Sequence, residues 1–245
     1  MIPPATVAVL LLAWQLVVAA GIVPNFLLPS PTQVVAALAS DAALLADHAA
    51  TTLAESVLGL LIGCAVGFAF AVLMDRFEFV YLAFSPLITV SQTVPTVAIA
   101  PLLVLWLGYG LAPKVVLVVL TTFFPITVSL VSGFRSVDPD LIDLMRTMNA
   151  TSAQIFWQVK IPTAAEQFFS GLKISATYAI VGAVIAEWLG GFSGLGVYMT
   201  RVRKSFAYDR MFAVIALISA LSLALMSAVG VIQRICMPWK RAERK

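Results

Sequence analysis

Apolar runs long enough to cross a bilayer recur along this whole chain, and one extended polar stretch, residues 135–163, interrupts them. A helix needs about 20 apolar residues to span the hydrocarbon. Candidate spans lie at 5–23, 52–74, 80–106, 114–133, 167–190 and 211–234. Runs such as VAVLLLAWQLVVAA do not alternate, unlike the strands of about 10 residues that build a membrane β-barrel. Only 11% of the 245 residues are charged, against about 25% in soluble domains, and mean hydropathy is +1.02. The expected fold is all-α, a polytopic membrane protein with about six transmembrane helices, read as a single domain over 1–245 with the polar segment 135–163 inside it.

The first run is expected to stay as a span. Residues 1–6 carry no Lys or Arg, so the basic start of a signal peptide is missing; the small residues Val18-Ala19-Ala20-Gly21 keep cleavage as the alternative. With the N-terminus inside, ten of the 15 basic residues fall on the inner side: Arg76, Arg135, Arg146, Lys160, Lys173, Arg234, Lys240, Arg241, Arg244 and Lys245. The outer side holds Lys114, Arg201, Arg203, Lys204 and Arg210. Both termini are therefore expected in the cytoplasm. The net charge of +3 calls for no nucleic acid, since the tail KRAERK suits an anionic membrane surface. Cys64 and Cys236 lack metal-ligand or CxxC spacing and read as packing residues, and no metal site is expected.

Small residues repeat every four positions in two spans, Gly59, Gly63, Gly67 and Ala71 in one and Gly171, Ser175, Ala179 and Ala183 in the other. Each set lies on one helix face and lets a second helix approach closely. Packing within the subunit is the expectation, a homodimer seam the alternative. The third span holds Pro86, Pro95 and Pro101 around Ser91, Gln92, Thr93 and Thr96. Proline frees backbone carbonyls that must be satisfied by protein or by water in a cavity. A kinked span lining a solute path is expected, with Gln92 and Thr96 on one face; hydroxyls bonding back to their own helix are the alternative. Glu187, near the outer end of the fifth span, is a further path candidate, unless it caps the Gly-rich turn after it. Glu55 is placed similarly in the second span, and the lone His48 is not expected to be a ligand.

The polar segment can be taken apart locally. Asp138-Pro139 is a helix start, a side-chain cap followed by a residue that needs no backbone donor. Leu141, Leu144, Met145 and Met148 then form one apolar stripe. Asn149 suits the left-handed conformation that ends a helix, and Thr151-Ser152-Ala153-Gln154 fits a capping box that opens another. Ile155, Phe156 and Val159 share its face, and Pro162 is expected to end the unit. Two short amphipathic helices should project from the cytoplasmic face, with an interfacial loop as the alternative.

At this point the chain resembles a known family, the permease subunits of binding-protein-dependent ABC importers. Their cytoplasmic signature is Glu-Ala-Ala, three residues, Gly, nine residues, then Ile-x-Leu-Pro. Here Asp143-Leu144-Met145, Asn149 and Val159-Lys160-Ile161-Pro162 fill the slots with both gaps matched, although only Pro162 is identical. The flanks PLITVSQTVPTVAIAPLLVLWLGYG, FFPITVSLVSGFRSVDPDLIDLM and AEWLGGFSGLGVYM resemble the nitrate/sulfonate/taurine-type branch. The resemblance implies a type I importer fold in a bacterial inner membrane, with 139–161 as coupling helices seated on a cytoplasmic ATPase. It implies two ATPase subunits, a second permease copy (a homodimer favoured over a paralogue) and an extracytoplasmic solute-binding protein. ATP would be bound by the partner, since this chain has no GxxxxGK[ST] loop and no cofactor of its own.

The segment EWLGGFSGLGVYMTRVRKSFAYDRMFAVI is most similar to permeases for thiamine-precursor pyrimidines. Sulfonate, taurine or nitrate is the alternative, which the basic cluster at 201–210 would suit if it attracts cargo rather than an acidic rim of the binding protein. A membrane-embedded enzyme is disfavoured, because the spans hold no HExxH, paired carboxylates or Ser/His pair. A non-ABC scaffold or an energy-coupling-factor component remains the alternative of another class.

Overall fold

The structure, a computed structural model, describes residues 4–24 and 26–241. Arg244 and Lys245 of the basic tail lie outside the described residues. Among the described residues eleven α-helices follow in order: α1 (Pro4–Ala19), α2 (Pro31–Ser40), α3 (Ala42–Arg76), α4 (Glu78–Ser91), α5 (Thr96–Leu107), α6 (Leu111–Arg135), α7 (Pro139–Thr147), α8 (Ser152–Ile155), α9 (Ile161–Gly190), α10 (Leu195–Lys204) and α11 (Tyr208–Cys236). A π-helical turn, Phe156–Lys160, joins α8 to α9.

Among the described residues, four helical runs are long and apolar enough to cross a bilayer: α3, α6, the run 152–190 and α11. The expected third span departs from the sequence reading. It is two helices, α4 and α5, bent by 98°. Pro86 and Pro101 sit inside them without ending either. The break comes at residues 92–95, because Pro95 disfavours helix at Val94 and is itself extended, at φ −63° and ψ 114°. Gln92 and Thr96 therefore do not share one helix face. The first run is only the 16-residue α1, about 24 Å long, with Leu10, Leu12 and Leu16 exposed and Trp14 against Phe212 of α11.

The bundle is organised on α6. Gly59, Gly63 and Gly67 of α3 lie against Val118, Thr122 and Thr127 of α6. On the other side Gly171 lies against Ser129 and the Pro125 carbonyl, and Gly182 against Thr121. A Cβ on Gly59 would stand 2.5 Å from Val118 and one on Gly171 2.7 Å from the Pro125 carbonyl, so both contacts exclude larger residues. Both small-residue stripes are thus used within the subunit. Pro125 cannot donate inside α6, and beside it Ser175 of α9 donates to the Thr122 carbonyl at 2.9 Å.

Candidate functional site

The polar segment folds largely as its local signals dictate. The Asp138 side chain accepts from Asp140 N–H at 3.0 Å, capping α7. Asn149 has φ 62°; its N–H donates to Arg146 O at 2.9 Å and the Ala150 N–H to Met145 O at 3.0 Å, the paired bonds that close a helix C-terminus. Thr151 and Gln154 form the reciprocal box, Gln154 Oε1 accepting from Thr151 N–H at 2.8 Å and Thr151 Oγ1 from Gln154 N–H at 3.3 Å. α7 has no buried residue. Leu141, Leu144 and Met148 are exposed along its stripe, and Asp143 pairs with Arg146 at 3.1 Å on the opposite, polar face.

Pro162 does not end the unit. The chain continues through the π turn into α9 with Pro162 in its first turn. The reason is the wider π spacing, in which Ile161 N–H reaches Phe156 O: a proline needs no donor there and its ring escapes the carbonyl four residues back. The second amphipathic helix is therefore the root of a span. Val159 and Ile155 are buried, Phe156 lies 5.6 Å from Phe134 of α6, and Lys160 pairs with Asp75 of α3 at 2.7 Å. The π turn after α8 is thereby fastened to α3 and α6 and continuous with α9. Beside it a cavity of about 450 Å³ is lined by Arg76, Arg146, Trp157 and Lys160 among others.

Of the path candidates, Ser91, Gln92 and Thr96 line one cavity of about 340 Å³ at the α4–α5 break, together with Thr121, Phe124 and Tyr178 from α6 and α9. Thr93 is not in that lining; its hydroxyl donates to Val90 O at 2.7 Å. Ser91 likewise donates to Ile88 O at 2.8 Å, so the hydroxyls do bond back to their own helix, but into a cavity wall. The aromatic and hydroxyl contributions of α6 and α9 went unread because those spans show no local break.

Glu187 takes the second of the two roles expected of it, the cap of the Gly-rich turn. It is buried at the opposite end of the bundle from α7, and both carboxylate oxygens are engaged. Oε1 accepts from Thr52 Oγ1 at 2.7 Å and Oε2 from Gly196 N–H at 2.6 Å. Gly194 N–H donates to His48 Nδ1 at 2.9 Å and Leu195 N–H to Thr52 Oγ1 at 2.9 Å. These are the first N–H groups of α10, which have no partner within their own helix; a carboxylate at that positive end is also favoured by the helix dipole. Glu187 therefore caps α10, and the cavity it borders, with Tyr109, Trp188 and Thr200, is not the one lined by Ser91, Gln92 and Thr96. Next to it Lys114 of α6 pairs with Glu55 of α3 at 2.6 Å, both sealed from solvent. Tyr198 of α10 donates to Asp41 at 2.6 Å; burial first, then that bond, hold its phenol well above its ordinary pKa, as a donor.

Comparison with known proteins agrees with this geometry. Residues 57–238 match the model of the binding-protein-dependent transport system inner membrane component family. A probable ABC transporter permease protein of Haemophilus influenzae is 39% identical, over 91% of each chain. The formylaminopyrimidine transport permease protein ThiX of Halalkalibacterium halodurans is 36% identical, over 89% of this chain and 88% of that one. The taurine transport system permease protein TauC of Escherichia coli is 30% identical, over 96% and 88%. In fold, the MetNI methionine ABC transporter in an inward-facing conformation superposes with a TM-score of 0.69 at 20% identity, covering 78% of this chain and 95% of that chain.

Proposed function

The chain belongs to the family of binding-protein-dependent transport system inner membrane components, and we propose that it carries a thiamine-precursor pyrimidine across the membrane, paired with a second copy of itself. It is the permease subunit of an ABC importer and a multi-pass inner-membrane protein, not an enzyme; ATP hydrolysis belongs to a separate subunit.

In this reading α7 and α8 seat in a groove of the ATPase, a helix-in-groove contact. Asp143, Leu144, Met145 and Asn149 form the contact, and Val159, Ile161 and Pro162 join it to α9. The observation that carries the assignment is α7 itself, an amphipathic helix capped at both ends with no buried residue, followed by a π turn that Phe156 and Lys160 fasten to α6 and α3 and that runs on into α9. ATP-driven closure of the ATPase would move this unit and rock the spans about the α4–α5 break. Both termini are read as cytoplasmic. The pyrimidine cargo is supported by the 36% identity to the formylaminopyrimidine permease.

A second reading, sulfonate or taurine, is favoured by the taurine relative and by the basic cluster on α10. Arg210 at the start of α11 pairs with Asp41 at 3.3 Å and Arg201 donates to Phe192 O at 3.2 Å, leaving Arg203 and Lys204 for an anionic cargo in this reading, or for an acidic rim of the binding protein in the first. The test is Asp143→Arg in the reconstituted permease–ATPase complex. Cargo-stimulated ATP hydrolysis should fall about tenfold or more, as like charge at a partner surface costs over 1.4 kcal/mol, while insertion is unchanged. Full coupled turnover would reduce this segment to an interfacial loop.

A further inference from the structure

The cavity at the α4–α5 break says more about cargo than its position does. Non-helical backbone at membrane depth persists where it is buried in protein or lines a water-filled cavity, and Gln92, Val94 and Pro95 of the break open into this one. Its lining contains no Asp, Glu, Lys, Arg or His. The cations of the neighbouring spans are engaged elsewhere: Lys173 donates to Gln233 at 2.5 Å, Lys114 to Glu55, Arg135 to Glu78 and Lys160 to Asp75. An anion would therefore leave water with no counter-charge.

The wall is polar without being charged. Ser91 Oγ donates to Ile88 O and Thr121 Oγ1 to Val118 O, each at 2.8 Å, and Gln92 Nε2 to Ile88 O at 3.4 Å. With those hydrogens directed at the backbone, Ser91 Oγ, Thr121 Oγ1 and Gln92 Oε1 present acceptor lone pairs to a donor on the cargo, while the second Gln92 N–H and the Thr96 and Tyr178 hydroxyls can donate to its ring nitrogens. Phe124 and Tyr178 add ring faces, which suit a planar partner.

We propose that this cavity is a transient cargo site for a neutral, planar heterocycle bearing hydrogen-bond donors such as an exocyclic amine. It disfavours acceptor-only anions such as sulfonates. The proposal rests on the reading of this chain as an importer permease. Gln92, Thr121 and Tyr178 are its selectivity residues, and selection here adds to selection by the binding protein.

The experiment uses the permease–ATPase complex in proteoliposomes with its binding protein, and radiolabelled hydroxymethyl aminopyrimidine and taurine as probes. Equilibrium binding is measured without the binding protein, and half-saturation of ATP-driven import with it. The wild-type complex should bind the aminopyrimidine in preference to taurine. Gln92→Leu and Tyr178→Leu should each weaken that binding about 3- to 10-fold, the loss expected from one hydrogen bond or one ring contact. Gln92→Leu sits in the break, where its side chain holds nothing but one long bond, so it keeps the proposal testable if Tyr178→Leu fails to fold. Taurine bound as tightly as the aminopyrimidine, or binding and half-saturation unchanged in both variants, overturns the site while ATP-driven import leaves the permease reading standing. Absence of ATP-driven import of any solute by wild type overturns that reading and this site with it.

Discussion

Replacing Asn149 with proline asks whether the turn between α7 and α8 transmits anything. Asn149 has φ 62°, its N–H donates to Arg146 O at 2.9 Å, and Ala150 N–H closes on Met145 O at 3.0 Å. Proline has no N–H and is confined to φ near −65°, so this turn cannot form. Backbone strain on the order of 1–3 kcal/mol and a lost hydrogen bond of about 0.5–1.5 kcal/mol together give about 2–4 kcal/mol. α7 has nine residues and buries none, and so short a helix is marginal alone, so nothing in the chain resists the change. Even about 2 kcal/mol shifts the population of the native turn about thirtyfold. Cargo-stimulated ATP hydrolysis in the reconstituted complex should fall by that factor, while the melting temperature of the permease stays near wild type because no buried contact is lost. Asn149→Gly reaches the same φ freely and should keep turnover within about twofold of wild type. Hydrolysis at the wild-type rate in Asn149→Pro would refute the reasoning.

Lys114→Met leaves Glu55 sealed without its cation and should cost about 3–5 kcal/mol, with Lys114→Met/Glu55→Gln recovering most of it, read as melting temperatures in detergent; additive losses would deny the pair its coupling. Gly63→Val drives a side chain into Thr122 of α6 and should destabilise by about 1–3 kcal/mol or more, whereas a lipid-facing change such as Leu61→Val should stay within about 0.5 kcal/mol. Reporter fusions after Ser40 and Ala150 should read outside and inside respectively, and a cytoplasmic signal at Ser40 would reverse the topology.

What the sequence made legible was local chemistry. Asp138-Pro139, Asn149 and Thr151–Gln154 declare their caps within four residues, and the structure forms all three. Small-residue spacing announced close approach, but not that one helix, α6, fills both grooves, because the complement on α6 is a scatter of Val118, Thr122 and Thr127 with no period of its own. Proline was readable as an interruption and not as its form: Pro86 and Pro101 are absorbed, Pro95 breaks the span, and a π turn carries the chain past Pro162. α10 was unread because it is short and mixed. For Glu187 the Gly-rich turn after it suggested a cap, which Gly196 N–H confirms, but its second partner, Thr52, is 135 residues away in the chain and no local pattern announces it.

The most direct test of the central claim is uptake into proteoliposomes that hold this chain with its ATPase and binding protein. Accumulation of the aminopyrimidine should require the binding protein on the membrane face opposite the ATPase, require ATP, and fall about tenfold or more in Asp143→Arg. Accumulation that survives removal of ATP, or that Asp143→Arg leaves at the wild-type rate, would contradict that claim.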